Sequence, residues 1–246
     1  ASVLAELGSF PLDLVVCAKG IEAGTGRLMS QVASDAAPDS DVAVLSGPTF
    51  AHEVAAGLPT AVTLACGGGE GQWRRLSAAI ARANFRPYYS EDVVGAEIGG
   101  AVKNVLAIAC GVVEGLGLGQ NARAALIARG YAEMMRFGEA LGAERDTLAG
   151  RCGLGDLVLT CTSTASRNFS LGKALGEGHD AGKLMQDRRT VAEGAFTAPV
   201  LVELAARHAV AMPITTAVYQ LLQGAPAREV VSGLLARPLT AEGPSA

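Results

Sequence analysis

A single lysine stands inside the longest apolar stretch of the chain. Residues 95–119 read GAEIGGAVKNVLAIACGVVEGLGLG, with Lys103 near the middle and Asn104 beside it. A helix that is apolar on nearly every face is buried in a large protein or a membrane. Burial lowers the pKa of a lysine and suits it to proton transfer. The sequence leaves open the alternative that Lys103 reaches the surface along its own aliphatic stem.

The same stretch is long enough to cross a bilayer, but its charges argue against insertion. Glu97, Lys103 and Glu114 all lie within it. Ionisable side chains are rare and costly in the hydrocarbon core, although about 20 apolar residues would span it. We therefore expect a core helix of a globular protein and no membrane insertion.

Two polar segments follow predicted strands. Lys19 lies in CAKGIE after the apolar run LDLVVC, and Gly47 and Thr49 lie in SGPTFA after DVAVL. Ligands of α/β proteins bind at the carboxyl ends of strands, and a helix start capped by Thr49 could bind an anion. The alternatives are a solvated loop lysine at position 19 and a simple capped turn at residues 47–49.

A third polar region follows two glycines. Gly153-Leu-Gly-Asp156 allows a close approach of the backbone at Asp156, and Ser166, Arg167 and Asn168 come at a predicted helix start. Hydroxyl, guanidinium and amide donors at a helix N-terminus suit a phosphate group. The alternative is an N-cap serine followed by an exposed arginine.

Taken together, these segments indicate proton-coupled chemistry on a small phosphorylated molecule. Two lysines and an aspartate accompany the phosphate-suited segment, and Glu193 in TVAEGAF is read as a helix-start acid. There is no G-x-S-x-G motif, and the three histidines follow no ligand pattern. Hydrolysis by a serine nucleophile and metal binding are therefore not expected.

Strands alternate with helices up to about residue 90, and helical patterns dominate afterwards. This order predicts an α/β domain over residues 1–92 and an all-α domain over residues 93–246. Strands are predicted at residues 12–17, 41–45, 60–66 and 85–89, with helices at 25–32, 50–56 and 71–83. Further helices are predicted at residues 95–119, 121–141, 168–175, 193–208, 215–222 and 227–235, with Gly119, Gly142 and Gly178 as C-terminal caps.

Composition narrows the class of protein. Half of the 246 residues are hydrophobic and the formal net charge is −4, so no nucleic-acid partner is expected. The five cysteines contain no C-x-x-C pair, which argues against a disulfide framework and a zinc site. No signal peptide is seen, and we expect a cytoplasmic protein.

The polar segments also carry a family resemblance. The stretches CAKGIE, LSGPTFAHEV, EIGGAVKNVLAIACGVVEGLGLGQNARAALIARG, GLGDLVLTCTSTASRNFSLG, TVAEG and MPITTAVY occur in this order. They resemble the bacterial NAD(P)-dependent glycerol-3-phosphate dehydrogenases over nearly the whole chain. The resemblance implies a Rossmann-like domain, an all-helical domain, an active site between them and a homodimer. It also implies NAD(P)H-dependent reduction of dihydroxyacetone phosphate to sn-glycerol 3-phosphate for glycerophospholipid synthesis.

The resemblance assigns roles residue by residue. Lys103 matches the general acid/base, which protonates the carbonyl oxygen as hydride arrives at carbon, and Asp156 matches the carboxylate that holds the lysine pair. The matching substrate contacts are Lys19, Gly47, Thr49, Lys103, Asp156, Ser166, Arg167 and Asn168. The matching cofactor contacts are Ala51, Arg167, Val191 and Glu193.

One part of the family pattern does not occur among these 246 residues. An opening strand with a G-x-G-x-x-G turn would hold the cofactor's pyrophosphate, and glycines 115, 117 and 119 lack the strand that this motif requires. We therefore expect weakened cofactor binding by these residues alone, and no preference between NAD and NADP is predicted. The competing hypotheses are another two-domain dehydrogenase of the 6-phosphogluconate or hydroxyacid type, and a non-catalytic helical module.

Overall fold

The computed structural model describes residues 12–186 and 192–238. Its first part alternates strands and helices as the sequence predicts. The strands are β1 (Asp13–Val16), β2 (Asp41–Ser46), β3 (Thr60–Cys66) and β4 (Phe85–Ser90), and the helices are α1 (Met29–Ala36), α2 (Ala51–Ala55) and α3 (Gly69–Ile80). Helix α1 begins four residues later than predicted, because Gly24 and Gly26 before it have positive φ angles.

The four strands form one sheet in the order β1–β2–β3–β4. β1 pairs parallel to β2, β2 pairs antiparallel to β3, and β3 pairs parallel to β4. Ala43 and Leu64 pack with α3 on one face of the sheet, while Val44 and Ala65 pack with Ala96 on the other. Coverage on both faces explains the continuous apolar runs of β2 and β3. β1, at the edge of the described sheet, is only half-buried, although its apolar sequence is typical of a covered strand.

Helices make up the second part. They are α4 (Val93–Gly115), α5 (Gly119–Ala140), α6 (Arg145–Ala149), α7 (Asp156–Cys161), α8 (Arg167–Gly176), α9 (Ala181–Gln186), α10 (Glu193–Arg207), α11 (Pro213–Leu222) and α12 (Ala227–Leu235). A single π-helical turn, Arg151–Gly155, joins α6 to α7. The sequence pattern missed α6, α7 and α9 because each is too short to show a periodicity.

Helix α4 is the centre of the main hydrophobic core. Every residue from 95 to 113 is buried, and Asp92 caps the helix by accepting a hydrogen bond from the backbone N–H of Gly95 at 2.7 Å. Among the described helices, α4 alone is long and apolar enough to cross a membrane, but 89% of the relevant window is buried inside the protein. The prediction of a core helix at this place is confirmed.

Small residues bring α8 directly against α4. A methyl group on Gly111 would lie 2.1 Å from the carbonyl oxygen of Phe169, and one on Gly172 would lie 1.9 Å from that of Ile108. Only glycine permits this approach of two helix backbones. The N-terminal turn of α8, which carries the Ser-Arg-Asn segment, is thereby held beside α4.

The predicted helix over residues 95–119 is wrong at its C-terminal end. Helix α4 ends at Gly115, and Gly117 follows it with a φ of 68°. Gly119, which was expected to cap α4, instead begins α5. Gly142 and Gly178 follow the ends of α5 and α8 with positive φ angles, as expected for C-terminal caps.

Candidate active site

Two lysines share one buried carboxylate. The Lys103 ammonium lies 2.5 Å from Asp156 Oδ1, and the Lys19 ammonium lies 2.8 Å from Asp156 Oδ2. The Asp156 side chain is fully buried, that of Lys103 is 6% exposed and that of Lys19 is 19% exposed. Lys103 therefore does not extend to solvent along its stem, and Lys19 is not a solvated loop lysine.

Three separate elements bring these groups together. Lys103 lies in the middle of α4, Asp156 is the first residue of α7, and Lys19 lies in the loop after β1. The π-helical turn before Asp156 packs tightly on α4, since a methyl on Gly99 would lie 2.4 Å from the carbonyl oxygen of Cys152. The close backbone approach that the Gly-Leu-Gly-Asp sequence predicts is confirmed.

Burial and charge act in opposite directions on Lys103. Burial and the neighbouring Lys19 ammonium lower its pKa, whereas Asp156 raises it, and the result is a pKa of about 8. A lysine with this pKa is still mostly protonated at neutral pH and gives up its proton more readily than an exposed lysine. With both lysines protonated the three side chains carry a net positive charge, which favours a developing oxyanion.

Gly47 and Thr49 lie beside this cluster. The carbonyl oxygen of Gly47 accepts hydrogen bonds from Lys19 Nζ at 3.4 Å and from Thr49 Oγ1 at 3.2 Å. The expectation that Thr49 caps the short helix α2 is wrong, because Phe50 occupies the N-cap position and the Thr49 hydroxyl turns back to Gly47. Gly47 itself has a φ of 154°, and a methyl there would lie 3.0 Å from the Cα of Val62.

A second group of predicted residues meets next to Lys103. Asn168 Oδ1 accepts a hydrogen bond from the Gly194 N–H at 2.9 Å, and Asn104 Nδ2 lies 3.5 Å from Glu193 Oε2. Gly194 makes this possible, since a methyl there would lie 2.6 Å from the carbonyl oxygen of Asn104. The N-terminal turns of α8 and α10 therefore converge on the residue that follows Lys103.

The remaining predicted residues occupy different environments. Ser166 caps α8, its hydroxyl oxygen accepting a hydrogen bond from the Phe169 N–H at 3.3 Å. Arg167 and Ala51 are exposed at the starts of α8 and α2. Arg167 makes no hydrogen bond or ion pair with any residue that the structure describes, so its guanidinium is available to a ligand. Val191 lies outside the described residues.

The chain matches two halves of one protein family. The N-terminal model of NAD-dependent glycerol-3-phosphate dehydrogenase matches residues 4–71, and the C-terminal model matches residues 92–232, more than half of the chain. The chain belongs to the NAD-dependent glycerol-3-phosphate dehydrogenase family. The residues that form the lysine–aspartate cluster fall within these two matches.

Individual relatives agree with the family match. The NAD(P)+ glycerol-3-phosphate dehydrogenase of Novosphingobium aromaticivorans is 75% identical over 245 residues, which cover 99% of this chain and 74% of that relative. The corresponding protein of Erythrobacter litoralis is 73% identical, over 98% of this chain and 73% of its own length. The crystal structure of glycerol-3-phosphate dehydrogenase from Coxiella burnetii is 40% identical and has a TM-score of 0.90, covering 96% of this chain and 73% of that one.

Sequence reasoning missed three residues next to the cluster. Thr160 donates a hydrogen bond to Asp156 Oδ1 at 3.3 Å, and its position four residues after Asp156 on a helix could have indicated this contact. Gly100 lies against the stem of Lys19, since a methyl group on Gly100 would lie 3.4 Å from Lys19 Cγ. The same methyl would lie 3.1 Å from the buried Ser46 hydroxyl, which has no hydrogen-bond partner among the described residues.

A cavity of about 760 Å³ lies away from this cluster. Its lining includes Val202 of α10, Met212 before α11 and Val230 of α12. It contains none of the clustered lysines or their carboxylate. Within residues 12–186 and 192–238, no three His, Cys, Asp or Glu side chains are grouped closely enough to hold a metal ion.

Proposed function

We propose that this chain reduces dihydroxyacetone phosphate to sn-glycerol 3-phosphate with NAD(P)H, and that Lys103 supplies the proton. Family membership supports the reaction. One observation carries the assignment of the site: the Asp156 carboxylate is held at 2.5 Å and 2.8 Å by the ammonium groups of Lys103 and Lys19. Such a group presents two oriented cations, of which Lys103 is almost completely buried, to a carbonyl oxygen.

The proton chemistry follows from this geometry. As hydride reaches the carbonyl carbon, negative charge develops on the carbonyl oxygen, and the Lys103 ammonium transfers a proton to that oxygen. The C=O bond becomes H–C–O–H, and Lys103 recovers its proton from solvent. Asp156 keeps the ammonium oriented before transfer, and Lys19 keeps a positive charge in the site after Lys103 becomes neutral. General acid catalysis of this kind contributes about 10²–10⁴-fold to a rate.

The phosphate of the substrate is assigned to the start of α8. Arg167 is exposed, and a guanidinium binds a phosphate through two parallel hydrogen bonds. Ser166 uses its hydroxyl as the helix cap and Asn168 uses its amide oxygen on Gly194, so the Asn168 amide N–H groups are left as donors. The ten-residue helix adds the partial positive charge of its N-terminus.

The exposed groups around the cluster fit a dinucleotide. Arg167 and Glu193 begin two helices that meet through Asn168 and Gly194, next to the residue after Lys103. A guanidinium suits the cofactor's phosphate and a carboxylate suits its amide or hydroxyl groups. When bound, NAD(P)H supplies the hydride, while Ala51, Arg167, Val191 and Glu193 would hold it.

We also propose a homodimer in the cytoplasm, with its domains divided at residues 92 and 93. The family resemblance motivates the dimer, and the five unpaired cysteines are in keeping with a reducing compartment. The start of α4 at Val93, directly after the last strand, supports the division. Sedimentation equilibrium would test the dimer: a single species of about 25 kDa, the mass of one chain, would contradict it.

The direct test is oxidation of NADPH and of NADH at 340 nm with dihydroxyacetone phosphate. We expect oxidation that requires both the cofactor and the phosphorylated substrate, with sn-glycerol 3-phosphate as the product. Dihydroxyacetone without its phosphate serves as the control substrate and should be used poorly. Turnover of a hydroxyacid but not of dihydroxyacetone phosphate, or no turnover by the folded protein, would overturn the proposal.

A further inference from the structure

A second buried acid lies on α4, outside the lysine–aspartate cluster. Glu97 is 4% exposed, and its two oxygens accept hydrogen bonds from the Ser30 N–H at 2.8 Å and the Ser30 hydroxyl at 2.5 Å. Ser30 is the second residue of α1, whose N-cap position is occupied by Leu28, a residue without a capping side chain. Glu97 therefore supplies, from another helix, the carboxylate that the start of α1 lacks.

This contact connects with Lys19 through a short, closed loop. Ile21 and Leu28 form an antiparallel bridge, and both side chains are buried in the main core. Lys19 lies two residues before Ile21, and Ser30 lies two residues after Leu28, as the second residue of α1. The backbone hydrogen bond from the Glu22 N–H to the Arg27 carbonyl at 2.9 Å closes the loop between them. The bridge therefore connects the start of α1, which Glu97 binds at Ser30, to the segment that carries Lys19.

The loop is held on one face of α4 at both ends. Glu97 binds Ser30, and Gly100, one turn further along α4, contacts the aliphatic stem of Lys19. The next turn carries Lys103, so the anchor, the lysine stem and the proton donor follow one another along the same helix. The distance from Glu97 to Lys103 along the helix axis is about 9 Å for six residues.

We propose that Glu97 is a positioning residue, which holds the Lys19 ammonium in place on Asp156 through the start of α1. The proposal rests on the proposed function for the part that concerns turnover. Its structural part, the placement of Lys19, does not depend on that function. Glu97 forms no hydrogen bond or ion pair with Lys19 or Asp156, and it acts through the first residues of α1, mainly Ser30, and the Ile21–Leu28 bridge.

The chain offers a matched control at Glu133 on α5. This glutamate is also buried, at 1% exposure. Its carboxylate also accepts hydrogen bonds at the start of another helix, from the N–H groups of Ile214 at 2.6 Å and Thr215 at 3.2 Å. The helix that it caps, α11, carries none of the residues assigned to the site. Glu97→Gln and Glu133→Gln therefore make the same chemical change at two helix starts. Only the helix start that Glu97 binds is connected to Lys19, through the Ile21–Leu28 bridge.

The first measurement needs neither cofactor nor substrate. Competitive acetylation followed by mass spectrometry compares the reactivity of Lys19 with that of exposed Lys183 in the same sample. We expect Glu97→Gln to raise the relative rate at Lys19 several-fold, because the ammonium spends less time on Asp156. Glu133→Gln should leave the ratio unchanged. Should Glu97→Gln fail to fold, Ser30→Ala removes one of the two hydrogen bonds and should give a smaller rise.

The second measurement is kcat/KM for dihydroxyacetone phosphate. We expect a loss of roughly tenfold in Glu97→Gln and none in Glu133→Gln, since misplacing a functional group by 1 Å can cost up to about 10²-fold. Glu97→Gln should cause no further loss when added to Lys19→Met, because its effect passes through Lys19. Equal acetylation ratios in wild type and Glu97→Gln, or equal changes in both glutamine variants, would overturn the proposal. Failure of the wild type to turn over would instead count against the proposed function.

Discussion

Two buried carboxylates in this protein are stabilised in different ways. Asp156 faces two ammonium groups and the hydroxyl of Thr160, whereas Glu133 faces two backbone N–H groups and the hydroxyl of Thr215. Both side chains are almost completely buried. One is therefore balanced by opposite charges and the other by neutral dipoles at a helix start.

The two arrangements have opposite consequences for protons. At Glu133 burial raises the pKa of the carboxyl to about 7, and the N–H and hydroxyl donors, with a smaller contribution from the Arg136 charge, only partly offset it. In the Asp156 cluster, burial acts mainly on the Lys103 ammonium and lowers its pKa to about 8. The carboxylate bound mainly by N–H and hydroxyl donors caps a helix, while the one that holds two lysines supports the proposal that Lys103 is a proton donor suited to neutral pH.

Removing the proton donor should produce the largest effect. Lys103→Met is expected to lower kcat by about 10²–10⁴-fold, because the variant lacks the general acid while Asp156 keeps Lys19 and Thr160 as partners. The measurement is NAD(P)H oxidation at 340 nm, with circular dichroism to verify the fold. Lys173→Met, at a partly exposed lysine on α8 that pairs with Glu177, serves as the control and should retain kcat. A near-normal kcat in Lys103→Met would show that Lys103 is not the general acid. The cluster at Asp156 would then have no catalytic role to distinguish it from the helix cap at Glu133.

The two regions should also impose opposite slopes on stability against pH. The folded-state pKa of Glu133 is raised from 4.5 to about 7, so the free energy of unfolding falls as pH rises through that window, by about 3 kcal/mol for this group. The folded-state pKa of Lys103 is lowered from 10.5 to about 8, so its contribution makes the free energy of unfolding rise with pH between these values.

Urea unfolding at a series of pH values separates these contributions. Glu133→Gln should flatten the decline between pH 4.5 and 7, although Glu97, whose pKa burial also raises, will keep part of it. Lys103→Met should flatten the rise at alkaline pH and leave the acid side unchanged. An identical acid-side slope in wild type and Glu133→Gln would show that the pKa of Glu133 is not raised in the folded protein.

Substitution of the exposed Arg167 tests whether the start of α8 binds the phosphate of the substrate. Arg167→Ala should raise the KM for dihydroxyacetone phosphate by the equivalent of about 1.5–3 kcal/mol, the value of a lost hydrogen bond to a charged group. Arg228→Ala, at an exposed arginine on α12, is the matched control and should leave KM unchanged. If both variants behave alike, the Arg167 guanidinium points to solvent.

The smallest effect is expected at Gly100, which packs against the side chain of Lys19. A methyl on Gly100 would lie 3.1 Å from Ser46 Oγ and 3.4 Å from Lys19 Cγ, so both neighbours would have to shift by a few tenths of an ångström. Gly100→Ala should therefore lower kcat/KM a few-fold, while the helix gains up to about 1 kcal/mol in propensity. Gly233→Ala on α12 enters open space and should raise the melting temperature without changing kcat/KM. Equal kcat/KM in the two variants would mean that the Lys19 stem is not confined.

The sequence predicted regular elements well where they have a pattern of their own. The strand at Thr60–Cys66 and the helix at Ala227–Leu235 have the bounds that their residues indicate. The turn at Arg151–Gly155 was missed because its glycines are typical of an irregular segment, and α7 was missed because six residues are too few to show a periodicity. Thr49 was assigned to a helix start, but a hydroxyl has several nearby acceptors, and the local sequence does not decide among them.

The sequence by itself determined that Lys103 is surrounded by apolar residues on one long helix, and it indicated the family to which the chain belongs. Whether the Lys103 ammonium reaches water or stays buried in the core depends on its partner Asp156, which the sequence around Lys103 does not reveal. Asp156 is separated by 137 residues from Lys19, the second cation that it binds. The packing of the π-helical turn against Gly99 and of the Lys19 stem against Gly100 brings the three side chains together, because the pairing of buried charges requires contact in space.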